Sequence, residues 1–81
     1  MVRIYLLKET AMLPLTLAKE GEENLIKKVG GKSDARLFLE NLGFVPGSLV
    51  TVITKINGNV IVSIKESRVA ISRDMASTVM V

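Results

Sequence analysis

The chain has no cysteine and no histidine among its 81 residues. Without cysteine it can form neither a disulfide framework nor a thiolate metal site. Without histidine it lacks the usual general base near neutral pH and the commonest metal ligand. Its serines, threonines and lysines form no pattern of an activated nucleophile. The sequence therefore predicts a protein that is not an enzyme and that holds neither a cofactor nor a resident metal ion.

Long apolar runs are also missing. Lys8, Glu9 and Lys19 interrupt the apolar segments near the start, so the sequence predicts no secretory signal. The longest charge-free stretch there, residues 10–18, contains Pro14 and has about half the length of a membrane-spanning helix. We expect a cytoplasmic protein that does not insert into a membrane and reaches its inner face only through a partner.

Positive charge and aromatic side chains are sparse as well. The net charge is only +3, and the basic residues are spread through the chain. Nucleic-acid binding usually requires a concentrated positive face and aromatic side chains on which bases stack, but this chain has only two Phe and one Tyr. We therefore expect no nucleic-acid partner; a small-barrel nucleic-acid binder is an alternative that salt-dependent binding in a shift assay would support.

Apolar residues are abundant, at 48% of the chain, and Val, Ile and Leu dominate them. Because stiff β-branched side chains pack well on a pleated surface, this composition favours strands. A chain of 81 residues forms one domain, and so small a domain needs a dense apolar core. The sequence therefore predicts a single, mainly β domain.

The second half of the chain has the clearest strand pattern. Two β-rich runs, residues 49–56 and 59–64, are joined by Asn57-Gly58. Asn-Gly between such runs is the strongest short-range signal for a hairpin, because both central residues of a type I′ turn have positive φ. The predictions beyond this hairpin are a turn at residues 65–67, a strand over residues 68–72, a single helical turn over 73–77 and a closing strand over 78–81.

The first half contains weaker strand signals. Leu13, Leu15 and Leu17 alternate with other residues, which predicts an extended segment with these leucines on one face. Pro14 cannot donate to a strand ladder, so this segment is expected at an edge or as a lead-in. Residues 24–29 predict one short strand.

One helix is predicted between these halves. Ser33 is the expected N-cap, since its hydroxyl can accept from an unpaired amide of the first turn. Gly43 is the expected left-handed C-terminal residue, with Phe44 closing back on the helix. Leu37 falls outside the apolar stripe. The stripe expected to be buried consists of Ala35, Phe38, Leu39 and Leu42.

Two apparent binding motifs have simpler explanations. Residues 30–33, Gly-Gly-Lys-Ser, resemble the end of a phosphate-binding loop, but Ile26 stands where that motif requires a glycine. The glutamates of residues 20–23 lack the spacing of a calcium loop. An ordinary helix start and a solvated corner account for these segments.

The expected fold class is mainly β, a small barrel of five to six short strands with one inserted α-helix, because closure leaves no bare sheet edge. We assign residues 12–81 to this domain. Residues 1–11 alternate loosely and are expected to form an N-terminal extension or an edge strand.

From Met12 onward the chain carries a series of short segments: Leu13-Pro14-Leu15, Lys19-Glu20-Gly21, Arg36 with Leu39, Leu42-Gly43-Phe44, Pro46-Gly47 leading into Val50-Thr51-Val52, Asn57 to Val62, Ser67 to Ile71, Met75-Ala76 and Val79-Met80-Val81. In the order and spacing of these segments it resembles the FeoA family, the small component A of the ferrous-iron transport system. The resemblance implies an SH3-like β-barrel and a cytosolic protein that binds the large membrane Fe²⁺ transporter with its cytosolic GTPase domain. In this chain Glu66-Ser67 stands where the family often has a glycine before the arginine.

We expect the partner to contact the helix with its exit loop, the hairpin turn and outward apolar residues. An SH3-like regulatory module of a metal-dependent repressor is a further alternative, although such a repressor carries an upstream DNA-binding domain. Strands that are apolar on both faces also admit self-association into a homo-oligomer. The candidate contact residues are Arg36, Leu37, Glu40, Phe44, Pro46, Asn57, Gly58 and Ile61.

Overall fold

A computed structural model describes residues 12–81; the strand or extension predicted for residues 1–11 lies outside the described residues. The helices are α1 (Ser33–Asn41) and α2 (Arg73–Ala76), and a 3₁₀ turn spans Leu15–Leu17. The strands are β1 (Glu23–Leu25), β2 (Lys28–Val29), β3 (Leu49–Ile56), β4 (Asn59–Ile64), β5 (Ser67–Ser72) and β6 (Val79–Met80).

The strands form two antiparallel sheets. One has four strands in the order β1-β3-β4-β5, and the other pairs β2 with β6. The helix α1 lies in the connection between β2 and β3. This arrangement confirms the predicted mainly β, SH3-like class with an inserted helix.

The core lies between the two sheets and is entirely apolar among the described residues. Different elements each supply large, fully buried side chains, so that folding any one of them depends on the others. Burial of each such side chain stabilises the fold by about 1.5 to 3 kcal/mol before conformational entropy is subtracted. The largest are Phe44, Leu15, Ile26, Leu39 and Ile64.

The β3–β4 hairpin has the predicted bounds and turn. Asn57 has φ of 49° and Gly58 has φ of 78°, as a type I′ turn requires. The turn between β4 and β5 also has two positive φ angles, but on Lys65 (50°) and Glu66 (65°). Sequence reasoning places a turn there without predicting this backbone, because neither residue type normally favours the left-handed region.

A β-bulge changes the alternation of β3. Val52 pairs with Val62, but the next pair joins Thr54 to Ile61, which leaves Ile53 as the extra residue. The following pair joins Lys55 to Val60. Val60 is buried, so Lys55 lies on the core side of the sheet. A bulge re-aims the residues that follow it in this way.

The N-terminal leucine prediction is wrong. Leu15 is fully buried, whereas Leu13 and Leu17 are 48% and 66% exposed. The three leucines therefore do not share one face. The chain curls into the 3₁₀ turn here because the Leu17 amide donates to the carbonyl oxygen of Pro14 at 2.9 Å. Pro14 itself bridges to Met80 at the border of the small sheet, which agrees with an edge or lead-in position.

The single strand predicted over residues 24–29 is two strands. The Ile26 amide donates to Ser48 beside β3 at 2.8 Å, and the next amide, that of Lys27, donates to Met80 in β6 at 2.8 Å. The chain thus changes from the large sheet to the small sheet within one residue. A run of apolar residues does not reveal such a change of partner.

The helix α1 begins one position earlier than predicted. Lys32 is its N-cap, and no side-chain hydrogen bond caps this end; Ser33 is already helical. Its C-terminus matches the prediction: the amide of Gly43 donates to Glu40 at 3.0 Å and that of Phe44 to Leu39 at 2.9 Å. This pair of bonds is the Schellman motif, which needs a left-handed residue at Gly43.

Candidate partner-docking surface

The exposed side of α1 carries three of the predicted contact residues. Arg36, Leu37 and Glu40 are all exposed. Arg36 and Glu40 are four positions apart, so their side chains are neighbours on the helix surface. Leu37 is 58% exposed. These residues form one continuous surface along the middle and C-terminal part of the helix.

Phe38 joins this surface, contrary to the prediction that it is buried. It is 50% exposed, whereas the adjacent Leu39 is fully buried. A helix of only nine residues packs through a narrow stripe, and a side chain 100° away from Leu39 around the axis lies at its margin. We call Arg36, Leu37, Phe38 and Glu40 the helix surface.

Phe44 was predicted as a contact residue but is fully buried. The Schellman bond from its amide directs the side chain back beneath α1, where it becomes one of the largest core residues. Its contribution is to anchor the helix. It cannot contact a partner while the domain is folded.

The other predicted contact residues lie on different parts of the molecule. Pro46 is exposed in the exit loop, just before β3 begins, while Asn57 and Gly58 follow its end. Because a strand rises about 3.3 Å per residue, the eight-residue β3 separates these two sites by about 23 Å. Ile61 is half-buried on the outer side of the large sheet. The predicted residues therefore do not form one site.

The exit loop is held firmly against the sheets. The Gly47 amide donates to Ile26 at 2.8 Å, and the Ser48 amide donates to Val45 at 3.1 Å. A Cβ atom on Gly43 would lie 2.8 Å from Cγ of Lys65, so the Lys65 stem covers the end of the helix. These contacts fix the orientation of α1, and hence of the helix surface, relative to the barrel.

The hairpin tip borders a cleft of about 290 Å³. Lys55 and Arg73 line it together with the turn residues Asn57 and Gly58. The Arg73 amide donates to the Gly58 carbonyl at 2.9 Å, which ties the turn to the start of α2. The tip is thus a supported corner of the barrel and is separate from the helix surface.

Among residues 12–81 no group of three or more His, Cys, Asp or Glu side chains is placed to hold a metal ion. No helix in that part of the chain has both the length and the apolar character needed to cross a membrane.

Fold and surface together define a small SH3-like barrel that presents a helix surface with adjacent apolar and charged residues. The FeoA domain family model matches residues 13–81, and the chain belongs to this family.

Known proteins resemble the chain in sequence and in structure. It is 44% identical over 70 residues to a protein of Methanocaldococcus jannaschii with the provisional name Fe(2+) transport protein A, a match that covers 86% of this chain and 85% of that one. The crystal structure of an iron uptake regulatory protein, FeoA, superposes with a TM-score of 0.78 at 28% identity and covers 86% of this chain and 93% of the other.

A manganese-dependent transcriptional repressor shares the fold, with a TM-score of 0.79 at 15% identity. The match covers 86% of this chain but only 40% of the repressor. At this identity the likeness concerns the fold alone.

Proposed function

We propose that this protein is an accessory, non-catalytic module of ferrous-iron uptake that binds a membrane Fe²⁺ transporter from its cytoplasmic side through the helix surface. Membership of the FeoA domain family and the name of the archaeal relative support the link to Fe²⁺ transport. The transporter's cytosolic GTPase domain is the proposed docking partner.

The observation that carries this proposal is the exposure of two adjacent large apolar residues on a charged helix. Leu37 and Phe38 are 58% and 50% exposed. Apolar side chains grouped on a surface and bordered by charges are typical of protein contact sites. Arg36 and Glu40 can form complementary pairs at the border, where charges mainly set specificity and association rate.

The rigid exit loop supports the same assignment. Because Gly43, Lys65 and Ile26 fix the end of α1, the helix surface loses little conformational freedom on binding, and pre-organisation of this kind favours affinity. A binding module of this type needs no catalytic group of its own.

The test is a binding titration of the purified protein against the GTPase domain of its own organism's transporter, with and without GTP. We expect saturable binding that Leu37→Asp and Arg36→Glu each weaken. Leu17→Asp is the matched control, because Leu17 is 66% exposed on the 3₁₀ turn, away from α1. Circular dichroism verifies that every variant is folded.

Two results would contradict the proposal. Equal weakening by Leu17→Asp and Leu37→Asp would remove the assignment to the helix surface. Absence of binding in every nucleotide state would exclude the GTPase domain as the partner, and the same titration against the membrane portion would then decide whether the transporter is the target at all.

A further inference from the structure

The outer side of the large sheet carries an ordered row of polar residues. The strand registers pair Glu23 with Thr51, Thr51 with Ser63, and Ser63 with Arg68. These four residues therefore form one line across all four strands, with an acidic residue at the β1 edge and a basic residue at the β5 edge. Their sequence neighbours Val50, Val52, Val62 and Ile64 are buried on the opposite side.

The next row on this side is mostly apolar. Ile61 pairs with Ala70 on β5 and with Thr54 on β3. Since both bulge residues oppose the single partner residue, Ile53 lies beside Thr54 and faces the same side as Ile61. Ile53 and Ile61 are half-buried and Ala70 is exposed.

The two end charges are too far apart to pair within one chain. Neighbouring strands are about 4.8 Å apart, so three strand spacings place Glu23 and Arg68 about 14 Å from each other. A single copy thus presents an acidic end and a basic end, with small hydroxyl side chains between them and an isoleucine row alongside.

We infer that a second copy of this chain packs face to face on this sheet, with a two-fold axis that runs along the strands midway between β3 and β4. This operation exchanges the positions of the two sheet edges. Glu23 then faces Arg68 of the second copy, and Arg68 faces its Glu23. The same axis brings Thr51 opposite Ser63 and Ile53 opposite Ile61.

The contact pattern is self-complementary, as a two-fold interface requires. The contact between Glu23 of one copy and Arg68 of the other occurs twice in the dimer, while the isoleucines lie near the axis. A two-fold axis that ran across the strands along this row would instead set Glu23 against Glu23 and Arg68 against Arg68. The charge pattern of the sheet therefore favours a second copy over an unrelated partner. The inference uses none of the helix surface and does not depend on the proposed function.

The expected association is weak. Four strands of about six residues present a face of about 400 Å² on each copy, which belongs to the transient class of interfaces. We expect a dissociation constant on the order of 100 μM, with binding weakened by added salt because the end charges lie at the solvent-exposed rim.

The test is sedimentation equilibrium of the full chain over a concentration series, with single and combined charge reversals. Glu23→Arg and Arg68→Glu each create two like-charge contacts in the dimer, so each should raise the dissociation constant at least about tenfold. Glu40→Arg, an exposed change on α1, is the control and should leave self-association unchanged.

Mixing the two single variants is the decisive measurement. In a mixed dimer the arginine introduced at position 23 of one copy would face the glutamate introduced at position 68 of the other. The native Glu23 and Arg68 would also face each other, so association should return to the wild-type level. The double variant should self-associate like the wild type as well. A monomeric wild type at millimolar concentration, single variants that dimerise normally, or a mixture that fails to associate would each overturn the inference.

Discussion

Nζ of Lys55 donates to the carbonyl oxygen of Thr16 at 2.7 Å, although the two residues are 39 positions apart in the sequence. The same ammonium group donates to the Ala18 carbonyl at 3.3 Å. Carbonyl groups at the end of a helical turn have no partner within the turn. One lysine of the central strand therefore satisfies the 3₁₀ turn and attaches the N-terminal segment to the large sheet.

We predict that Lys55→Met lowers the free energy of unfolding by about 1 kcal/mol, because the aliphatic stem is kept while the charge-assisted hydrogen bonds are lost. Urea unfolding followed by circular dichroism measures this change. Lys19→Met is the control, since Lys19 is an exposed lysine for which we expect almost no effect. Equal losses in the two variants would contradict the bracing role of Lys55.

The two phenylalanines should respond very differently to truncation. Phe44 is fully buried, and Phe38 is 50% exposed. Phe44→Ala should lower the free energy of unfolding by about 3 to 5 kcal/mol, as expected for a large cavity in a core. Phe38→Ala should lower it by less than about 1 kcal/mol. Chemical denaturation provides both values. If Phe38→Ala were the more damaging change, the placement of the helix on the barrel would be incorrect.

Gly43 should be the least replaceable glycine of the exit loop. Its φ is +105°, and an added Cβ would meet Cγ of Lys65 at 2.8 Å. Gly47 also has positive φ, at +93°, but a Cβ added there would meet no atom within 4 Å. Gly47→Ala should lower the free energy of unfolding by about 1 kcal/mol through backbone strain alone. Gly43→Ala should lower it clearly more, because the steric contact with Lys65 adds to the strain. Urea unfolding of the two variants measures the difference.

A double variant separates the two causes. Lys65→Ala removes the Cγ atom, so it should relieve the steric part of the Gly43→Ala penalty and leave the strain of positive φ. The two changes should therefore be less than additive in a double-mutant cycle. Strict additivity would show that backbone strain accounts for the whole penalty.

The turn between β4 and β5 can be improved. Lys65 and Glu66 both occupy the left-handed region, which costs a non-glycine residue roughly 1 to 2 kcal/mol. Glu66→Gly should therefore stabilise the protein by about 1 kcal/mol and raise its melting temperature by about 4 to 8 °C. Scanning calorimetry measures this shift.

Glu22→Gly is the matched control for that turn. Glu22 does not belong to the residues with positive φ, so a glycine there only increases the freedom of the unfolded chain and should be neutral or destabilising. Stabilisation by both substitutions would argue against strain at Glu66.

The parts of the fold that local chemistry dictates were predictable. The Asn57-Gly58 turn, the strands on either side of it and the Gly43 helix end match the sequence-based expectations, because each depends on backbone preferences of neighbouring residues. The family resemblance was predictable from the order and spacing of the same motifs. The family model covers residues 13–81.

The candidate site was only partly predictable. Leu37 was expected outside the core by its position on the helix, and it is exposed. Phe38 was expected in the buried stripe but is half exposed. Phe44 closes back on the helix as expected, and its burial rules out the contact role also assigned to it. Periodicity gives the direction of a side chain from its own helix but not the position of the element that covers it. Which apolar residues remain on the surface is therefore a property of packing.

Residue composition and local backbone preference account for a small, mainly β domain without cysteine or histidine, together with its turns and its helix end. Packing of the whole domain sets which apolar side chains face solvent, where the chain changes from one sheet to the other at Ile26 and Lys27, and how Lys55 supports the turn at Thr16. Each of these depends on contacts between residues distant in the chain, and no short stretch of sequence encodes such contacts.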